Sequence, residues 1–80
     1  MLNPMSKLPI LSAKEAIKVL KKFGFEIDKQ TGSHIRLWNK ERKLLVIVPN
    51  HKELAKGTLI SIMKQAKIER KKFLFKLSKG

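Results

Sequence analysis

Two histidines, His34 and His51, are the side chains of this 80-residue sequence that exchange protons near neutral pH without help from their surroundings. His34 closes the tripeptide Gly32-Ser33-His34, and Arg36 and Trp38 follow at alternate positions. A guanidinium pairs with phosphate through a planar fork, and an indole offers a face on which a base stacks. His51 is followed by Lys52 and then by Lys56-Gly57-Thr58. A helix opening at Gly57-Thr58 would turn its backbone amides toward an anion, and Gly57 would let another backbone come close. The same residues would also serve as a plain helix start. Together these types allow proton transfer on a phosphate-bearing substrate. Cysteine is absent, which excludes disulfides and a cysteine-ligated zinc or iron–sulfur site. With two histidines and six acids to draw on, neither a metal cage nor a cofactor is expected.

The charge indicates what such a substrate would be. Nineteen Lys and Arg stand against six Asp and Glu, a formal net charge of +13. The excess is spread: residues 1–40 carry eight basic and three acidic side chains, and residues 41–80 carry eleven and three. The folded body, rather than a basic tail, therefore carries the positive field. Nucleic acids, acidic proteins and anionic membranes are the usual partners of such a field. No apolar run approaches the roughly 20 residues of a membrane span, so no membrane role is expected. The first residues show no basic segment followed by an apolar stretch, which makes the cytoplasm the default location.

Positioning these groups requires a scaffold, and its elements are legible. Ser12-Ala13-Lys14-Glu15 reads as a capping box that opens a helix. Ala13, Ala16, Ile17, Leu20 and Phe23 form its apolar stripe, Lys14, Lys18, Lys21 and Lys22 a solvated face, and Gly24 its stop. Three strands follow, Phe25–Lys29, Ser33–Asn39 and Leu44–Val48, with turns at Thr31-Gly32 and Lys40-Glu41 and an end at Pro49. A second amphipathic helix carries Leu59, Ile62, Met63 and Ala66 and ends near Lys67; a short third one runs from Glu69 to Leu77. The expected class is α+β: one domain over residues 1–80, with an irregular or disordered start at 1–6, a three-stranded antiparallel sheet, two helices on one face and a short C-terminal helix.

Register decides which face each site residue takes, because a slip of one residue turns every side chain over. A two-residue turn at Lys40-Glu41 pairs Leu37 with Leu44 and Ile35 with Val46, and sets His34 opposite Ile47 and Arg36 opposite Leu45. In the first hairpin, a two-residue turn at Thr31-Gly32 would pair Asp28 with Ile35 and bury a carboxylate, at a cost of several kcal/mol. A three-residue turn, Gln30-Thr31-Gly32 with Gly32 left-handed, pairs Ile27 with Ile35 and Phe25 with Leu37 instead. Asp28 then stands beside His34, and Glu26 beside Arg36. The outer face so formed carries His34, Arg36, Trp38, Lys43, Leu45 and Ile47. Its apolar members suit a surface that meets RNA or a protein, unless Phe73, Phe75 and Leu77 fold back to cover it.

The ordered set Leu8-Pro9-Ile10-Leu11-Ser12, Gly24-Phe25, Gly32-Ser33-His34, Val48-Pro49-Asn50-His51 and Lys56-Gly57-Thr58-Leu59 resembles the HicA family of toxins, over about Lys7 to Phe73. The resemblance implies a fold like the double-stranded-RNA-binding domain. It implies a metal-independent endoribonuclease that cleaves mRNA and depends on His34, and an antitoxin of the HicB type that blocks that site. Histidine would assist attack of a ribose 2′-OH on the adjacent phosphate, or protonate the leaving 5′-oxygen, a contribution of roughly 10²–10⁴-fold. In this reading Asp28 and Ser33 support the imidazole, and Gly32, Arg36, Trp38, His51, Lys52, Lys56, Gly57 and Thr58 hold RNA. His51 reads as a loop-structuring or phosphate-contacting residue rather than a second catalyst. A non-catalytic RNA- or DNA-binding module, or an interaction protein serving an acidic antitoxin, fits the composition equally well; the Gly32-Ser33-His34 setting separates them. Oligomeric state is not legible, a monomer being the simplest free form.

Overall fold

The computed structural model describes residues 8–79, so the start at 1–6, expected to be irregular, lies outside the described residues. The elements run α1 (Ala13–Lys22), β1 (Phe25–Gln30), β2 (His34–Asn39), β3 (Leu44–Pro49), α2 (Lys56–Ala66) and α3 (Arg70–Ser78). The capping box forms as read: Ser12 Oγ accepts from the Glu15 amide at 3.1 Å, and Glu15 Oε1 accepts from the Ser12 amide at 2.9 Å. Gly24 ends the helix at φ +93°, a conformation that suits glycine. The strands form one antiparallel sheet in the order β1-β2-β3. One core joins the α1 stripe, Phe25, Ile35, Leu37, Val46 and Val48 of the sheet, Leu59, Ile62 and Met63 of α2, and Phe73 of α3.

Both hairpins correct the expected register. The first closes with the Thr31 amide donating to the His34 carbonyl at 2.9 Å, which leaves Gly32-Ser33 as the tight turn. Gly32 is not left-handed. Gln30 pairs with Ile35 and Lys29 with Arg36. Continued without interruption, that ladder would set Asp28 opposite Leu37 on the core side. A β-bulge between Ile27 and Lys29 takes Asp28 out of the ladder, and Ile27 pairs with Leu37, Glu26 with Trp38 and Phe25 with Asn39. The cost of burying a carboxylate does decide the register, but through a bulge rather than a longer turn.

The second hairpin is two residues longer than expected. Asn39 pairs with Leu44, Leu37 with Val46, Ile35 with Val48, Arg36 with Ile47 and His34 with Pro49. The reason is Asn39, which is buried and must satisfy its amide. Its Nδ2 donates to the Phe23 carbonyl and its Oδ1 accepts from the Arg42 amide, each at 2.9 Å. The chain wraps around that side chain and returns through Lys43 at φ 57°. Lys43 is thus a turn residue, not a member of the outer face. A shift of two preserves side-chain parity, so Ile35 and Leu37 still face the core and His34, Arg36 and Trp38 still face away.

Candidate functional site

His34 is exposed and opens β2, one residue past a turn that fixes its backbone on both sides. The Thr31 hydroxyl accepts from the His34 amide and lies 3.1 Å from its carbonyl, which also accepts from the Thr31 amide. The ring is held from its neighbour, with Ser33 Oγ 3.1 Å from Nδ1. In the neutral ring either Nδ1–H donates to the hydroxyl and Nε2 holds a lone pair, or the hydroxyl donates to Nδ1 and Nε2 carries the proton; in the cationic ring both nitrogens carry protons and Nδ1–H donates. In each state the Nε2 edge remains available for a ligand.

The loop after β3 is tied to this turn. The Asn50 amide donates to the Ser33 carbonyl at 2.9 Å, and its Nδ2 to the Gly32 carbonyl at 3.3 Å. The other end of the loop is tied to the approach to α1: the His51 carbonyl accepts from the Ala13 amide at 2.9 Å, and the Leu54 amide donates to the Leu11 carbonyl at 2.7 Å. Leu54 is buried in the core. Gly32, Ser33 and His34 are therefore brought together directly, and the segment bearing exposed His51 and Lys52 starts beside them. Thr31 and Asn50 were not singled out from the sequence. A hydroxyl residue at a turn edge and an Asn after a strand-ending Pro are the signals that would have found them.

Beyond Leu54 the chain enters α2 at Lys56, one residue before the expected start, so the first-turn amides are those of Lys56, Gly57 and Thr58. The N-cap is Ala55, which supplies no side-chain cap. A Cβ at Gly57 would meet nothing within 4 Å, so no internal packing demands glycine there.

Asp28 is not beside His34. Its Oδ2 accepts from Arg36, at 2.7 Å from Nη2 and 2.9 Å from Nε, an exposed ion pair on the outer face. The bulge that keeps this carboxylate out of the core delivers it to the neighbour two residues along β2. Arg36 and Trp38 lie about 7 Å and 13 Å along the strand from His34, on its face. Trp38, Leu45 and Ile47 are 37%, 43% and 36% exposed. The C-terminal segment does not cover them: Phe73 is buried in the core, and Lys22 Nζ of α1 donates to the Lys76 carbonyl of α3 at 3.1 Å. The outer face is thus an open strip running from His34 through Arg36 to Trp38, with an apolar flank on β3. At the outer edge of β3, Gln65 of α2 accepts from the Ile47 amide at 3.0 Å.

Among the described residues, no helix is long and apolar enough to cross a membrane. No curated protein matches the chain significantly. A family model described as HicA toxin of bacterial toxin–antitoxin matches residues 13–68, from the first residue of α1 to the end of the α2 turn. That span is well over half of the chain and holds the capping helix, the whole sheet, the Gly32-Ser33-His34 turn and the loop to α2. The chain belongs to the HicA family of toxins of bacterial toxin–antitoxin systems.

Proposed function

We propose that this toxin is a metal-independent endoribonuclease that cleaves mRNA in the cytoplasm with His34 as its acid–base group. The observation that carries the reading is an exposed imidazole on a turn fixed by Thr31 and Asn50, at the head of an open strip that also presents a guanidinium and an indole. RNA would lie along that strip. Arg36 meets a phosphate, Trp38 stacks on a base, and Gly32, His51 and Lys52 hold the backbone where it passes His34. The α2 start at Lys56, Gly57 and Thr58 takes a further phosphate. His34 removes the proton of the ribose 2′-OH as that oxygen attacks the adjacent phosphorus, and the 5′-oxygen leaves as its bond to phosphorus breaks, taking a proton from water or from the imidazolium. The products are a 2′,3′-cyclic phosphate and a 5′-hydroxyl. Ser33 supports the reaction by accepting from Nδ1–H, which leaves the Nε2 lone pair toward the substrate.

The same strip suits the antitoxin, taken to be of the HicB type. Its apolar flank of Trp38, Leu45 and Ile47 is the kind of surface a protein partner covers, and covering it closes off His34. Induced expression of the wild type beside His34→Ala tests the reading in cells. Growth arrest and message decay are expected from the wild type alone. Arrest by both would place the toxicity elsewhere, and tight RNA binding without message decay by either would indicate a binding module.

A further inference from the structure

On the other side of the sheet lies a feature that neither RNA cleavage nor its blocking uses. Ile27 pairs with Leu37 and therefore belongs to the core face, yet it is 41% exposed. It is uncovered because α1 leaves an open groove of about 740 Å³ between itself and β1. The floor of the groove is Ile17, Ile27 and Ile35, and Lys14, Lys18 and Lys21 stand along its α1 wall. Glu15, the acidic side chain in the lining, is engaged by the Ser12 amide.

We infer that this groove is a docking site for an extended segment of a partner protein in which acidic residues alternate with apolar ones. The spacing fits. Lys14, Lys18 and Lys21 stand one below another on the helix, about 6 Å and 4.5 Å apart along its axis. An extended chain repeats its same-face side chains about every 6.7 Å. Lying in the groove with its apolar side chains down on the isoleucine floor, such a segment turns its alternate carboxylates up toward the ends of the long lysine side chains. RNA is the poorer occupant, because a floor of isoleucines offers bases no aromatic face to stack on. A second copy is poorer still, since it brings another +13 against the same lysines. The groove lies on the core side of the sheet and reaches the His34 turn only at Asn50, while His34, Arg36 and Trp38 face the outer side, so a partner seated here leaves the RNA strip open.

The test uses the intact chain and a fluorescein-labelled octapeptide that alternates Glu with Val, read by fluorescence anisotropy at low salt. Saturable binding is expected. The double variant Lys14→Glu/Lys18→Glu should weaken it by about ten-fold, since attraction becomes repulsion. Ile27→Ser should weaken it comparably, with both variants still folded by circular dichroism. Peptides alternating Glu with Ser, or Lys with Val, should bind at least about ten-fold more weakly than the probe. Backbone amide shifts should be confined to α1, β1 and the neighbourhood of Ile35 and Asn50. No saturable binding of the Glu/Val peptide would overturn the inference, as would binding unaffected by either variant. Displacement of the peptide by a uridine hexanucleotide whose own affinity falls in the lysine variant would make the groove an RNA surface instead.

Discussion

His34 and Asp28 were both legible as polar residues of the outer face and both lie there, but Asp28 does not meet the neighbour the expected register gave it. Parity fixes the side of a sheet and says nothing about a bulge. Asp28 therefore meets Arg36 instead of the imidazole. The distinction has a kinetic consequence. Asp28→Asn should leave the pH dependence of RNA cleavage where it was, because the carboxylate is not the imidazole's partner. The same variant should tighten RNA binding by about two- to five-fold, since it releases Arg36 and removes a negative charge from an exposed pair worth at most about 1 kcal/mol. Cleavage rates against pH, with RNA binding measured alongside, check both parts. A displaced pH profile would mean that Asp28 acts on His34 after all.

At the scale of the elements, the fold depends on a residue with no part in the chemistry. Asn39 joins the end of α1 to the second hairpin through Phe23 and Arg42. Asn39→Ala takes these partners from the part-buried Phe23 carbonyl and Arg42 amide, so a loss of about 1–3 kcal/mol is expected in urea unfolding. A loss below about 0.5 kcal/mol would show that the turn does not depend on it. Asn39 also explains what the sequence could and could not tell. The capping box, the apolar stripe, the Gly24 stop and the alternation of β2 are local patterns, and each forms as read. The faces of His34, Arg36 and Trp38 were legible because parity survives a shift of two. The pairings themselves were not, because they follow from where a buried amide finds partners and where a carboxylate escapes the core. Those are tertiary facts, carried by Phe23 and Leu37 as much as by Asn39 and Asp28. Likewise the tie between Asn50 and the Gly32-Ser33 turn joins segments that are far apart in the chain.

Across the whole molecule, the three helices leave one side of the sheet open and the other nearly closed. The family match stops at residue 68, before α3, yet Phe73 of α3 is completely buried. Anchored there, α3 packs beside α1 and stays clear of the outer face. Phe73→Ala should cost about 3–4 kcal/mol, a large share of the stability of so small a domain. Thermal unfolding followed by circular dichroism measures this, and an unshifted midpoint would mean that α3 is not part of the core.

The central claim, that an open strip headed by His34 cuts RNA without a metal, is tested most directly with purified protein. Wild type and His34→Ala are each incubated with end-labelled mRNA in excess EDTA, and the cut ends are identified. Cleavage by the wild type with 2′,3′-cyclic phosphate ends, reduced about 10²–10⁴-fold in the variant, is expected. Equal cleavage by the two proteins, or cleavage by the wild type that EDTA abolishes, would contradict the claim.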